Sequence, residues 1–414
     1  MNQAPEKLKL RRARRRSRPI VAALIAVAIL IVGIAASVAI YLATSVKPPE
    51  VDLNPPGGEQ KDEDGNVINP LPPELSTASR KKGVYSFLVV GLDNPTNSRN
   101  TDVIMLCNFD TNTGEVNILQ IPRDSYVKDA VMPSGGKINN LFNSACFDYQ
   151  QKNPTSGEEE QYNYAMNYLC RKVSSLFAVP VDFYVSFNTF MYRELLELVC
   201  PITVNVPFDM DYDDPTQDLH IHLKAGLQQL DPEQAEGFSR FRQNNDGSGL
   251  AEGDFSRVDL QKIVLAAIAE KFFTETSLPS VHAVVGKLLE NVNTSLSLEN
   301  CVWFMTKALS LYADGTMAFS DIRMYDLPCK VPSPSQCMEL LGVNYLISYG
   351  FMETSFGYTL EILNKAFNLT DVEITEGMLG YQEYVNMGGY CDHSDTEGHS
   401  IQEILTEPPK VSVY

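Results

Sequence analysis

Arginines, carboxylates and a glutamine recur along this 414-residue chain in a pattern that suits a phosphate and a hard cation. Gly91-Leu92-Asp93 and Arg99-Asn100-Thr101-Asp102 flank a turn between two apolar runs, and Ile121-Pro122-Arg123-Asp124 closes a third run. Further on stand Arg240-Phe241-Arg242 and Asp254-Phe255-Ser256-Arg257, with Gln261 four residues beyond Arg257. Guanidinium forks fix phosphate oxygens two at a time, and paired carboxylates hold a divalent cation. Together these residues describe a Mg²⁺-assisted site for a pyrophosphate.

Each piece also has a plainer reading. Asp93 and Asp102 taken alone are turn-capping aspartates. Their nine-residue spacing around a returning loop nonetheless lets both reach one sheet edge, where ligands of open α/β sheets bind. Arg123-Asp124 alone is a loop ion pair, and Lys137-Ile138-Asn139 after a Gly-Gly turn is uninformative by itself. The second basic cluster says more. Arg240 and Arg242 share a side if the chain is extended, and Arg257 and Gln261 share a helix face. Asp254 precedes that helix, among N-terminal amides that favour anions. The competing reading is a solvated face in which Asp246, Glu252 and Asp254 pair with the arginines.

The elements that must position these residues can be read from the apolar pattern. The first 19 residues hold eight Lys or Arg and one Glu, a net +7; the chain carries −19 in all, so the remainder carries −26. Ile20 to Leu42 runs 23 residues without a charge, against roughly 20 needed to cross a hydrocarbon core. Residues 1–19 thus read as a cytoplasmic basic segment and 20–42 as one transmembrane helix, with the bulk of the chain outside. A cleaved signal peptide is the alternative. The Pro- and Gly-rich stretch 43–83 reads as a disordered stalk. Short apolar runs at 84–91, 103–109, 116–121, 181–187 and 202–206 read as strands, and 161–177, 189–199 and 258–273 as helices. Asp231-Pro232-Glu233-Gln234 supplies an N-cap, a first-turn proline and a residue to cap back. Helices at about 278–291 and 298–312 and a strand at 317–327 follow. The alternation predicts an α/β fold, a three-layer α/β/α-type sandwich with a mixed central sheet, over 84–370. Residues 371–414 show weak periodicity and read as a loosely attached tail.

The acidic exterior argues against nucleic acid, which needs a basic face. Eight cysteines outside the cytoplasm permit disulfides without fixing their pairing, although Cys329 and Cys337 could close a small loop and Cys107 reads as a buried thiol. His220 and His222 alternate along a strand-like run, but zinc would need further ligands; Cys391-Asp392-His393 is too sparse for a metal. There is no Gly-x-Ser-x-Gly, phosphate-loop lysine or Cys-His nucleophile pattern.

Taken as an ordered set behind an N-terminal anchor, Gly-x-Asp93, Arg-x-Thr-Asp102, Ile-Pro-Arg123-Asp124, Lys137-Ile-Asn139, Arg240-x-Arg242 and Asp254-x-x-Arg257-x-x-x-Gln261 resemble the LytR-CpsA-Psr family. Members are membrane-anchored enzymes of Gram-positive envelopes. The resemblance implies transfer of a glycopolymer phosphate from a polyprenyl-pyrophosphate carrier to a peptidoglycan hydroxyl. Carried over by position, Asp93 and Asp102 would bind Mg²⁺. Arg123, Arg240, Arg242, Arg257 and Gln261 would hold the pyrophosphate, with Arg123 and Asp254 in catalytic roles. The chain departs from the family's pattern at Asn143–Cys146, in a polar insertion around 150–161, at Cys200-Pro201-Ile202 and at Leu260, where many members carry an arginine. A polyprenyl tail also demands an apolar slot, for which Phe177, Phe183, Val185, Phe187 and Leu195 are candidates. A hydrolase using the same site with water, and a non-catalytic envelope lipid-binding protein, are the other classes the residues allow.

Overall fold

A computed structural model describes residues 47–51, 60–61, 67–68, 71–93, 99–216, 218–250, 254–328, 356–380, 395–409 and 411. The basic segment and the expected membrane span lie outside the described residues. Among those described, no helix is long and apolar enough to cross a membrane.

In chain order, a short helix α1 (Pro73–Ser76) precedes strands β1 (Val84–Leu92), β2 (Thr101–Asp110) and β3 (Val116–Gln120). A hairpin of β4 (Tyr126–Asp129) and β5 (Met132–Lys137) leads to helices α2 (Leu141–Lys152) and α3 (Glu158–Phe177). Then come β6 (Phe183–Asn188), α4 (Thr189–Val199), β7 (Ile202–Val206), β8 (Met210–Asp214), β9 (Leu219–Leu223) and β10 (Gly226–Leu230). Helices α5 (Pro232–Arg240), α6 (Asp254–Glu275) and α7 (Val281–Leu289), strand β11 (Asn293–Thr294) and helix α8 (Leu298–Ala313) follow. Strand β12 (Ile322–Asp326), α9 (Phe356–Ile362), β13 (His399–Ser400) and α10 (Ile401–Thr406) complete the described elements.

Seven strands form one sheet in the order β11-β6-β1-β2-β3-β12-β13. β6 runs parallel to β1 and β12 parallel to β3, while β1–β2, β2–β3, β11–β6 and β12–β13 are antiparallel. The sheet is therefore mixed, as expected. Successive side chains of a strand face opposite ways. Leu88 and Val90 of β1 accordingly pack into a core with Phe142 of α2 and Leu169, Val173 and Phe177 of α3. Tyr85 and Phe87 on the other face pack with Phe304 of α8 and Leu260, Ile263 and Val264 of α6. Phe304 meets the rings of Tyr85 and Phe87 edge-on at 4.9 and 5.0 Å, the offset that aromatic quadrupoles favour. Helices thus cover both faces of the sheet.

The sequence signals act where expected. Asp231 caps α5 by accepting from the Gln234 backbone N–H, and the Gln234 side chain accepts from the Asp231 N–H in return. Helix α4 and strand β7 keep their expected bounds.

Two segments differ from expectation. The end of the expected stalk belongs to the folded body: Leu71 and Leu75 are buried in the first core, and Arg80 pairs with Asp182 at 2.5 Å. The expected loose tail supplies β13, which pairs with β12, and α10, whose Ile401 and Ile404 are buried in the second core. Short elements docked on a preformed surface have no periodicity of their own to read.

Candidate active site

The site grows from the strand ends on one side of the sheet. β1 ends at Leu92, and the Asp93 N–H donates to the Asn100 carbonyl at 2.8 Å, which closes the turn and returns the chain into β2 beside Asp102. After β3, Pro122 stops the strand and the Ser125 N–H donates back to the Pro122 carbonyl, so that Arg123 and Asp124 sit on a tight turn. The backbone beyond the β4–β5 hairpin is stitched to that turn: Ile138 N–H donates to the Ser125 carbonyl at 2.7 Å and Asn139 N–H to the Arg123 carbonyl at 3.0 Å. Gly135 makes that hairpin close, because at φ +74° any Cβ would run into the Tyr126 ring.

The second cluster comes from helices. Arg240 is the last residue of α5, and Phe241 is fully buried against Phe208 between the two arginines. The extended chain expected for Arg240-Phe241-Arg242 is thus a helix end, with the buried Phe241 as the anchor. The next turn folds back, the Leu250 N–H donating to the Arg242 carbonyl at 2.9 Å. Arg257 and Gln261 lie one turn apart on α6, as their spacing requires.

All these parts meet in one cavity of about 750 Å³, lined by Asp93, Asp102, Arg123, Arg240, Arg242, Arg257 and Gln261 together with Asp124, Lys137 and Asn139. Asp254 opens α6, and its side chain lies outside the described residues. The lining holds six cationic residues (Arg123, Lys137, Arg240, Arg242, Arg257 and Lys262) against three carboxylates (Asp93, Asp102 and Asp124), an excess of positive charge on the cavity wall, with Glu236, Asp259 and Asp326 pairing Arg240 and Lys262 from behind it. Such an excess in a partly enclosed cleft concentrates an anionic ligand.

The carboxylates also hold the cations in place. Arg123 Nη1 donates to Asp102 Oδ1 at 2.8 Å, and Lys137 Nζ lies 2.8 Å from Asp124 Oδ1. Behind the cavity, Glu236 is buried and accepts from Arg240 Nη1 at 2.7 Å and from Arg193 Nε. Arg240 is thus held by a buried carboxylate one helical turn earlier, while Glu252 lies outside the described residues.

Lys262 is the residue the sequence pattern passed over. It lies in an apolar stretch of α6, is buried, and bonds Asp326 Oδ2 at 2.6 Å and Asp259 Oδ1 at 3.0 Å. Burial alone would lower its pKa, but Asp326 and Asp259 outweigh it and raise it, so the ammonium stays charged. The available signal was a lysine between Leu260 and Ile263 in a helix whose apolar positions face the core. Leu260 itself is fully buried in that core, so the arginine missing there takes nothing from the cavity lining.

The lining also has an apolar part: Val103, Met105 and Ile118 from the sheet, Phe187, and Val264 and Ile268, farther along α6 than Arg257. Of the five slot candidates named from sequence, Phe187 is in this lining. Phe177 and Phe183 are buried in the two cores instead, since both stand on faces packed against neighbouring elements. Val185 and Leu195 are half-buried and outside the lining.

Asp93 and Asp102 offer hard oxygens on the cavity wall, with the Asp102 side chain 39% exposed. Mg²⁺ takes one or two carboxylates plus water and substrate phosphates, so this donor set fits it. Cys107, Cys146, Cys170, Cys200 and Cys301 are free thiols. Cys329, Cys337 and Cys391 lie outside the described residues, as does His393.

Comparison with known proteins gives the family. Residues 57–328 match the LytR_cpsA_psr family. The chain is 26% identical over 224 residues to a protein of Bacillus subtilis named polyisoprenyl-teichoic acid–peptidoglycan teichoic acid transferase TagV, covering 53% of this chain and 51% of that one. It is 24% identical over 221 residues to B. subtilis TagU, which carries the same activity name, covering 53% of this chain and 62% of that one. The chain thus spans less than two thirds of the length of either relative. The fold matches that of the crystal structure of protein gbs0355 from Streptococcus agalactiae, with a TM-score of 0.54 at 17% identity, over 73% of this chain and 94% of that one. The family match extends over most of the chain, and its residues 57–328 take in every strand end and helix that lines the cavity. The chain belongs to the LytR-CpsA-Psr family.

Proposed function

We propose that this protein is a membrane-anchored phosphotransferase that moves a glycopolymer phosphate from a polyprenyl-pyrophosphate carrier to a peptidoglycan hydroxyl, with Mg²⁺ as cofactor. The observation that carries the reading is the two-part cavity. Its arginine-rich part suits a pyrophosphate, and its apolar lining residues suit a hydrocarbon tail. The names of the TagV and TagU relatives point to the same donor and acceptor classes.

In this reading Arg123, Arg240, Arg242 and Arg257 hold the phosphoryl oxygens, and Gln261 adds an amide donor from the same face of α6. Asp93 and Asp102 would hold Mg²⁺, which supplies neutralisation of charge developing on the phosphates. Because Arg123 already bonds Asp102, it ties the cation side of the cavity to the phosphate side. The acceptor hydroxyl attacks the phosphorus nearest the glycan, the bond to the lipid phosphate oxygen breaks, and the hydroxyl proton passes to solvent as polyprenyl monophosphate departs. Fixed guanidinium groups stabilise that charge without reorganising, so catalysis is mainly positioning and electrostatics. Asp254 is proposed as an acid beside the phosphates, as the resemblance implies.

The test replaces the planar fork while keeping the charge. Arg240→Lys and Arg257→Lys lose the paired hydrogen bonds of the guanidinium. Each should lower the transfer rate roughly a hundred- to thousand-fold, the cost of one preorganised donor to developing charge. Near-wild-type transfer in both would mean that these arginines serve packing and ion pairing and not phosphate binding.

A further inference from the structure

A separate set of metal-ligand side chains stands on the β8–β9 hairpin. The antiparallel register sets Asp213 opposite His220 and Asp211 opposite His222, so all four side chains project from one face. On the other face, Met210, Leu219, Ile221 and Leu223 are buried, and Tyr212 and Leu219 line the cavity. The hairpin is therefore a wall with the cavity on one side and two imidazoles and two carboxylates on the other.

The geometry goes beyond two ion pairs. Ligand atoms of Asp213, His220 and His222 all lie within 4.8 Å of one another. Zinc bonds to nitrogen and oxygen of about 2.0–2.1 Å place tetrahedral ligands about 3.3–3.4 Å apart. His222 Nε2 lies 3.4 Å from Asp213 Oδ1, already at that spacing. His220 Nδ1 lies 2.5 Å from the same oxygen and needs only a small rotation of an exposed ring to open room for an ion. The supporting contacts are those of a metal site. His222 Nδ1 faces Asp211 Oδ1 at 2.7 Å, the carboxylate–imidazole contact that fixes the proton on Nδ1 and leaves Nε2 as the lone-pair ligand. Asn245 Nδ2 donates to Asp213 Oδ2 at 3.2 Å and its Oδ1 accepts from the Asp213 N–H, so the carboxylate is held from behind.

We propose that Asp213, His220 and His222 bind one Zn²⁺, with solvent as the fourth ligand and Asp211 and Asn245 orienting the set. Two imidazoles select a transition metal over Mg²⁺, which prefers all-oxygen ligands. The ion would tie β8 to β9 and, through Asn245, to the turn that follows Arg242. It would thus brace the cavity wall from outside without touching the phosphate side.

The test uses full-length protein in detergent, stripped with chelator and titrated with Zn²⁺ by calorimetry in excess Mg²⁺. One Zn²⁺ per chain is expected for wild type, with a rise in melting temperature, and neither for the His220→Gln/His222→Gln double variant. Co²⁺ in place of Zn²⁺ should give the visible bands of a tetrahedral site without thiolate charge transfer. Asp211→Asn, which touches the set only through His222, should weaken binding about 10–100-fold. Equal Zn²⁺ binding by wild type and the double variant, no binding by wild type, or a thiolate spectrum would each overturn the proposal. Should the double variant not fold, Asp213→Asn must show the same loss.

Discussion

Asp102 takes part in two relations at once, bonding Arg123 while presenting its carboxylate to the cavity. With Asp93 it would hold the metal, so Asp93→Asn or Asp102→Asn should abolish Mg²⁺-dependent turnover and leave the circular dichroism spectrum unchanged. Full activity of either variant at limiting Mg²⁺ would remove both residues from the metal site. A second residue sets a pH dependence of stability. Asp182 is buried beneath Ser86, and burial pushes its carboxyl up to about 6 from the ordinary 3.8, against the opposing pull of Arg80. The folded state therefore binds this proton more tightly than the unfolded chain. The contribution is fully present below about pH 4 and is lost as pH rises through about 6, a loss on the order of 3 kcal/mol. The stability of wild type relative to Asp182→Asn should fall across that window in urea titrations; a pH-independent difference contradicts it. The cavity residues were legible because their types and spacing state their chemistry. Lys262 and Glu236 were not, since their roles arise from burial beside partners distant in sequence or one turn away on a helix.

At the scale of elements, the last described helix packs against the core that holds α6. α10 packs its Ile401 and Ile404 into the core that also receives Leu260, Ile263 and Val264 of α6, the helix that carries Arg257 and Gln261. Ile401→Ala and Ile404→Ala should each cost about 2–5 kcal/mol, as buried aliphatic truncations do. Equilibrium denaturation checks this, and an unchanged midpoint would mean that the segment is a loose tail after all. The long strands and helices could be read from the sequence because they carry period-2 or period-3.6 patterns over many residues. The two-residue β13 and six-residue α10 carry too few, and they gain order only from the edge of β12 and the surface of α6. The same holds for α1, whose Leu75 looks like part of a Pro-rich stalk until the fold supplies a core beneath it.

At the scale of the whole molecule, the mixed sheet places strand ends and helix ends around one cavity. The +7 segment, the uncharged run Ile20–Leu42 and the acidic remainder predict a chain that stays in the membrane fraction with its N-terminus inside. Sequencing a mature N-terminus beyond Leu42 would show that this span is removed. Fold class and the order of the site motifs are legible in the amino-acid pattern alone. The apolar part of the cavity is not, because Val103, Ile118, Val264 and Ile268 look like ordinary core until three elements are seen to leave a gap between them. In the proposed reaction a glycan phosphate is handed to peptidoglycan and not to water. The most direct measurement gives the full-length protein a short-chain polyprenyl-pyrophosphate glycan, peptidoglycan and Mg²⁺, and identifies the products by mass spectrometry. The expected products are glycan phosphate joined to peptidoglycan and released polyprenyl monophosphate; glycan phosphate free in solution beside unmodified peptidoglycan would overturn the proposed transfer.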